Sequence, residues 1–416
     1  MGRLDDRNAV VQGILVHLLR SGSVVRILSV AAALRLLWAL LVPVELISDP
    51  SAYHALTSNL ARGLGYAFEE GNPSAFWPPG TAFFYTPFYA VLGIDPRWTL
   101  IPNVLLGLYI VYLGIEIARR VFDERIAEVT GWLLAVWPLF IQFTTVMASE
   151  LLFTVLLLGS LLAWARVQNP WGRGVAVGLL TGCAAYVRPQ ALPLPIIFGV
   201  CEVSRGLPIG RAIWSTGTSV VLSLALIAPW SIRNHQAFGH FVLISANGGA
   251  VLWMGNNPES QGNYMPLPER VSHLNDAERD SFLREEAMAH IKERPGLFIR
   301  RCLNRLRATW DRETIGVAWN PGLPTASLMP IRIISSLYWW IVGALGLVGF
   351  VLWIRRDGWR HVFTEPYVLS SLAFGALYAV SNGNDRYHMP TGPLIAMLAA
   401  CTLVELKGRG WLASHR

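Results

Sequence analysis

Apolar segments about twenty residues long recur along almost the whole chain, and nothing else in the sequence limits its fold so tightly. Each has the length of a helix that crosses the hydrocarbon of a bilayer. The segments at 27–46, 98–118, 127–145, 148–167, 174–188, 190–204, 212–230, 328–354, 366–381 and 388–405 are read as spans. The pair near 174–204 is short and broken at Arg188-Pro189, so a single disrupted helix is the other reading of it. Composition agrees: 53% of residues are hydrophobic and 15% charged, against roughly 25% charged in soluble domains. The chain is therefore expected to be an all-α polytopic membrane protein of about ten helices, neither disordered, nor a coiled coil, nor a disulfide scaffold.

The basic residues orient these spans. With the N-terminus inside, the inner segments carry Arg3, Arg7, Arg20, Arg26, Arg119, Arg120, Arg125, Arg166, Arg173, Arg205, Arg211, Arg355, Arg356, Arg360, Lys407, Arg409 and Arg416. The short outer segments carry Arg62, Arg97, Arg188 and Arg386. Such asymmetry puts both termini in the cytoplasm. The net charge of +7 is then a topology signal before it is a surface for nucleic acid. The first ten residues, with Asp5 and Asp6, lack the form of a cleavable signal peptide, so the first span is expected to remain as an anchor.

Three regions follow: 1–230 as an N-terminal transmembrane module with the outer loop 47–97, 231–327 as a second outer loop, and 328–416 as the closing helices and tail. Counting Trp77 to Gly93 as a further span would reverse every later segment. It is short and holds Pro78, Pro79 and Pro87, so it reads as a juxtamembrane or re-entrant helix. Irregular backbone at that depth needs cover from protein or a wet cavity. Residues 245–270, rich in Gly, Asn and Pro, read as ordered loop. Residues 275–312 read as helix, capped at Asn275 or Asp276 and interrupted at Pro295. Their second half interleaves Phe298, Leu303, Leu306 and Trp310 with Arg300, Arg301, Arg305 and Arg307, the pattern of an amphipathic helix lying on a membrane.

Ionisable residues gather where spans meet the outer loops. Asp49 follows the first span, with Tyr53 and His54 after it. Before Pro50 it reads either as a helix N-cap or as a partly buried carboxylate able to act as a base. Glu150 opens the fourth span, Arg188 closes the fifth, and Asp385-Arg386-Tyr387-His388 precedes the tenth. All share one face under a topology derived independently, which favours one site over separate accidents. Arginines beside carboxylates suit a phosphate leaving group and a base. Arg35, inside the first span, is expected to pair with Glu116. Four cysteines without metal or disulfide spacing, and no phosphate-binding loop or serine nucleophile motif, leave no sign of a cytoplasmic nucleotide-using domain.

The order of short motifs resembles the GT-C membrane glycosyltransferases, in the branch holding protein O-mannosyltransferases and aminoarabinose transferases. Asp49 and Tyr53 precede Asn59-Leu-Ala-Arg-Gly-Leu-Gly-Tyr66, and Trp77-Pro-Pro-Gly80 opens the juxtamembrane helix. Ala118-Arg-Arg-Val-Phe122, Ser149-Glu150, Arg188-Pro189 and Pro229-Trp230-Ser-Ile-Arg-Asn234 follow in turn. Trp253-Met-Gly-Asn-Asn257 and Asp385-Arg-Tyr-His-Met-Pro390 complete the series. The resemblance implies transfer of a sugar from a polyprenyl-phosphate donor to a hydroxyl of a lipid, glycan or protein, outside the cytoplasm and with inversion. It makes Asp49 the general base and draws Tyr53, His54, Glu150, Arg188, Asn256, Asn257, Arg386, Tyr387 and His388 into substrate binding.

Some relatives carry an acid–Lys pair before the juxtamembrane proline, where this chain has Phe76 and Trp77. No cofactor is certain; a divalent metal ion is left open, and no nucleic acid partner is implied. Acceptor recognition is expected in loops 47–97 and 231–327, and the location is a bacterial plasma membrane. Two other classes compete: a flippase for lipid-linked sugars and an accessory subunit of an envelope polysaccharide machine. Against the flippase, no matching charged set is read at the cytoplasmic side.

Overall fold

The computed structural model describes residues 2–262 and 264–408, with the backbone alone for 2–21. The side chains of Arg3, Arg7, Arg20, Arg409 and Arg416, which enter the charge asymmetry, lie outside the described residues. Among the described residues, five helices are long and apolar enough to cross a membrane: Gly22–Leu41, Pro96–Val121, Ile209–Phe238, Thr325–Asp357 and Met389–Leu406. Glu124–Ala135 and Pro138–Thr145, bent by 52° against each other, make a sixth if taken together. Of the other expected spans, Pro366–Val380 is a shorter apolar helix.

α1 (Gly2–Leu41) stops five residues before the expected end of its span. The first large loop holds α2 (Asp49–Ala61), a hairpin pairing Ala67–Glu69 with Asn72–Pro73, and α3 (Gly80–Leu92). α3 is a helix in the stretch expected to be juxtamembrane or re-entrant: it follows Pro78-Pro79, retains Pro87 and ends at Gly93, whose φ of 95° favours glycine. α4 (Leu100–Val121) follows. In place of one straight span at 127–145 stand α5 (Glu124–Ala135) and the short α6 (Pro138–Gln142). Pro138 has no N–H with which to continue α5.

The irregular stretch from there to Ser149 is satisfied by protein. Asn103 Nδ2 donates to the carbonyls of Thr144 (3.1 Å) and Val146 (3.0 Å), and its Oδ1 accepts from Tyr85 OH at 2.5 Å. Backbone of this kind survives in apolar surroundings only when its polar groups are bonded.

α7 (Glu150–Arg166), α8 (Pro170–Val187), α9 (Leu194–Ser204) and α10 (Ile209–Phe238) come next. α8 and α10 meet along a seam of small residues. A Cβ on Gly174 would stand 2.7 Å from the Ser215 carbonyl oxygen, and one on Gly178 would stand 2.8 Å from the Ser219 Cα. Ser219 and Ser223 on α10 donate across the seam to the carbonyls of Gly174 (3.0 Å) and Gly178 (2.9 Å). Small residues at four-residue spacing let helix backbones approach in this way.

The second large loop holds α11 (Gly248–Asn256), α12 (Asp276–Glu293), α13 (Pro295–Trp310) and α14 (Ile315–Ala318). α11 replaces part of the expected loop at 245–270, because Ala250, Trp253 and Met254 have an apolar partner in Leu283 and Ala287 of α12. α12 starts with a capping box between Asn275 and Glu278. α13 is amphipathic, but its arginines do not all face outward. Arg301 and Arg305 are buried, whereas Ile299 and Leu303 are exposed. Arg301 donates to the Asn257 carbonyl (3.0 Å), and Arg305 to the carbonyls of Gly255 (3.2 Å) and Ser381 (3.1 Å). The two loops form a common cap, where Asp276 Oδ2 accepts from Ser74 Oγ (2.7 Å), Ala75 N (2.8 Å) and Phe76 N (2.9 Å).

α15 (Thr325–Asp357), α16 (Trp359–Phe363), α17 (Pro366–Val380) and α18 (Gly392–Leu406) close the bundle. Buried residues of α1, α4, α5, α7, α15, α17 and α18 share its main apolar core. Arg35 does not pair with Glu116. Its Nη1 donates to the carbonyls of Ala31 (3.1 Å) and Ala135 (3.2 Å) in a slot that Gly107 leaves open. Glu116 lies about 14 Å further along α4 and bonds Arg119 and Arg166 instead.

Candidate active site

Four charged side chains meet at the loop side of the bundle, each delivered by a different break between helices. Asp49 opens α2, Glu150 opens α7, Arg188 closes α8, and Arg386 lies in the turn between α17 and α18. Arg386 Nη1 donates to Asp49 Oδ2 at 2.6 Å and lies 3.3 Å from Glu150 Oε1. Arg188 bonds the same Glu150 oxygen and donates through Nε to Ser149 Oγ at 2.9 Å. One arginine is thus shared by two carboxylates, and one wholly buried carboxylate by two arginines. Glu150 Oε2 and Arg386 Nε are buried without a bonded partner. Burial opposes the charge of Arg386, but Asp49 and Glu150 hold its pKa well above the ordinary arginine value.

Aromatic rings wall this cluster. Arg386 lies over Trp319, 4.3 Å from its centroid, and beside Tyr387, which stacks on Tyr378 at 4.5 Å. Tyr378 OH accepts from Gln190 Nε2 at 2.6 Å. Tyr53, on α2, packs against Trp77 at 5.5 Å; burial, with Asp49 and Glu150 near, pushes its phenol up to about 12.

The N-cap reading of Asp49 does not hold. Ser48 is the capping residue, without a side-chain bond, and Asp49 is the first helical residue, its side chain turned to Arg386. Ser48 has φ 53° and is the one non-glycine residue with positive φ among the described residues. Backbone strain of this kind is held in place by its surroundings and concentrates at functional sites.

The structure brings Asp49, Tyr53, Glu150, Arg188, Arg386 and Tyr387 together; other candidates stand apart from the charges. His54 Nδ1 lies 2.9 Å from Tyr89 OH. Asn256 and Asn257 are buried and bonded: Asn256 Oδ1 accepts from Arg305 (3.0 Å), and Asn257 Nδ2 donates to the Trp253 carbonyl (2.8 Å). Asp385 Oδ2 accepts from Thr314 N (2.6 Å), Thr314 Oγ1 (2.9 Å) and Ile315 N (3.0 Å). His388 stacks on Trp339 at 4.2 Å. Its Nδ1 is 2.6 Å from the Thr309 carbonyl oxygen and must donate, while its Nε2 is 3.0 Å from Glu313 Oε1. One proton is therefore shared between His388 and Glu313, which also accepts from Trp137 Nε1 at 2.9 Å. Burial pushes the Glu313 carboxyl up, and His388 pulls it back. Asp385 and His388 thus fasten both sides of the turn that carries Arg386.

The sequence alone does not place Gln190, Glu313, Trp319 or Tyr378 in the site, and it offers Ser149 only as part of the Ser149-Glu150 motif. Ser149 and Gln190 adjoin recognised residues, whereas Glu313 and Tyr378 carry no local signal. Nor does it show a second charged set, at the other end of α8. Arg173 pairs with Glu202 at 2.8 Å, Ser215 Oγ donates to the same oxygen at 3.1 Å, and Arg205 bonds Glu365. Both arginines flank the Trp164 ring, at 5.7 and 5.2 Å. The described residues contain no cluster of three or more His, Cys, Asp and Glu side chains placed to hold a metal ion.

Residues 77–232, less than half of the chain, match the family model of dolichyl-phosphate-mannose-protein mannosyltransferases. No curated protein sequence matches the chain. Among solved structures, ArnT from Cupriavidus metallidurans bound to undecaprenyl phosphate superposes with a TM-score of 0.59 at 15% identity, over 94% of this chain and 62% of that one. The archaeal oligosaccharyltransferase AglB from Archaeoglobus fulgidus, in complex with an inhibitory peptide and a dolichol-phosphate, gives 0.57 at 13% identity, over 93% and 50%. The chain thus spans half to about three-fifths of the length of these proteins. Bundle, paired loops and superpositions agree: this polytopic membrane protein has the GT-C fold.

Proposed function

We propose that the protein is a glycosyltransferase that moves a sugar from a polyprenyl-phosphate donor to an acceptor hydroxyl, with inversion, on the extracytoplasmic face of a bacterial plasma membrane. Both termini then lie in the cytoplasm. The observation that carries this reading is the pair Asp49–Arg386, 2.6 Å apart, with Glu150 and Arg188 behind it. The two structural neighbours were solved with dolichol-phosphate and undecaprenyl phosphate, which supports a lipid-phosphate donor.

The unbonded Nε of Arg386 is a donor for a phosphate oxygen. A phosphate arriving there competes with Asp49 for the guanidinium and frees the carboxylate to meet the acceptor hydroxyl. Asp49 takes the proton of the acceptor hydroxyl, and the oxygen forms its bond to C1 of the sugar. The C1–O bond to the phosphate breaks, and its electron pair leaves on the phosphate. Positive charge on the ring in the transition state resembles that of glycoside hydrolysis. Arg386 and Arg188 stabilise the second negative charge of the leaving phosphate. Net charge in the site is constant through the step, because Asp49 becomes neutral as the phosphate gains its charge.

The test uses purified protein in nanodiscs, a panel of synthetic polyprenyl-phosphate sugars and mass spectrometry of the released polyprenyl phosphate. Release in the parent and not in Asp49→Asn is expected. Binding without release, even with crude envelope as acceptor, would overturn the transferase reading. The charged set around Trp164 favours one rival, a transporter of lipid-linked sugar, which moves the donor while changing no bond.

A further inference from the structure

We propose that the polar cleft between the second loop and the α17–α18 turn binds a neutral polyhydroxylated ligand, and that this is the acceptor, a sugar residue; the acceptor role rests on the transferase reading above. The cleft has a volume of about 280 Å³ and is lined by Tyr264, Asp311, Arg312, Asn382, Asn384 and Asp385 among others. Its wall is built before any ligand arrives. Gly383 sits so close to α13 that a Cβ would stand 2.6 Å from the Arg305 carbonyl oxygen, and Asp385 is tied to Thr314 and Ile315.

Asn382 supplies the second observation. It is 8% exposed, and its Oδ1 is buried with no donor bonded to it. A buried acceptor left unpaired is costly, and a ligand hydroxyl that reaches it would restore the missing bond. Charge selects among ligands. Asp311 and Asp385 disfavour phosphates and carboxylates, and Arg312, the one basic residue of the lining, already lies 3.9 Å from Asp311. Carboxylate and amide oxygens that accept, with an exposed Tyr264 ring beside them, suit hydroxyls on a ring with one apolar face.

The cleft is coupled to the charged cluster through one short turn. Asn384 Oδ1 accepts from Arg386 N at 3.1 Å. Asp385, in the cleft wall, and Arg386, on Asp49, are adjacent residues with Cα atoms about 3.8 Å apart. The cleft and the charged cluster thus share the turn 384–386, which is the link that the acceptor role requires.

The experiment is saturation-transfer NMR on the full chain in nanodiscs. The probes are methyl glycosides of a hexose, an N-acetylhexosamine and a pentose, with glycerol 3-phosphate as the anionic comparison. At least one glycoside is expected to bind saturably, and Asn382→Ala and Tyr264→Ala each to weaken it tenfold or more. The dissociation constant for undecaprenyl phosphate should stay within twofold. Tyr264 is exposed, so Tyr264→Ala keeps the test open if Asn382→Ala does not fold. No saturable glycoside signal, a signal unchanged in Tyr264→Ala, or preference for the anion would overturn the proposal. Glycoside binding in a protein that releases no polyprenyl phosphate would sink the transferase reading and leave the sugar site standing.

Discussion

The two ends of α8 carry the same residue types in different arrangements. Arg188, at its C-terminal end, belongs to a cluster in which Arg386 serves Asp49 and Glu150 together. Arg173, near its N-terminal end, has one carboxylate, Glu202, and neighbouring Arg205 has one of its own, Glu365. One-to-one pairs of this kind hold helices together. A shared cation can change counter-ion when a new anion arrives, and of the two sets the loop-side cluster has that arrangement. Charge alone does not distinguish the two sets; stoichiometry does.

Four substitutions probe this contrast, in descending order of effect. Asp49→Asn should lower kcat by about 10²–10⁴-fold, the range of general-base catalysis, with the melting temperature nearly unchanged; normal turnover would remove Asp49 from the mechanism. Glu202→Ala should do the reverse. Removing one partner of a buried ion pair costs about 3–5 kcal/mol, so denaturant unfolding should shift strongly while kcat per folded molecule holds. A loss of kcat without a loss of stability would break the comparison. Arg386→Lys keeps the charge but loses the fork; donor affinity and kcat should both fall by about tenfold, with the acceptor KM little changed. Ser48→Gly relieves a positive φ and should raise stability by about 1 kcal/mol, with a modest fall in kcat as Asp49 loses its fixed approach.

Much of this was legible before the structure. Span lengths and prolines located the bundle and α3, because lipid requires long apolar helices and proline interrupts them at defined places. The charged residues flanking the breaks pointed to the cluster, since charges at a membrane edge need a partner or a purpose. Tertiary contacts account for the failures. The sequence of α11 reads as loop because glycine and asparagine dominate its ends, yet Trp253 and Met254 have a partner face on α12. Arg35 was assigned to Glu116 by charge, yet Gly107 had already made room for it elsewhere. Glu313 was invisible, because its role depends on Trp137 and His388, distant in the chain.

The seam between α8 and α10 has a mechanical consequence. Glycine and serine backbones in contact over successive turns, cross-bonded by Ser219 and Ser223, form a joint with no slack for sliding. A carrier that exposes its cargo alternately to two sides must loosen some such joint on every cycle. Here the joint runs along the very helix that holds Arg188, so under the transferase reading the movement that admits a ligand is expected at the rim, in the α17–α18 turn and the loops above it, over a fixed post.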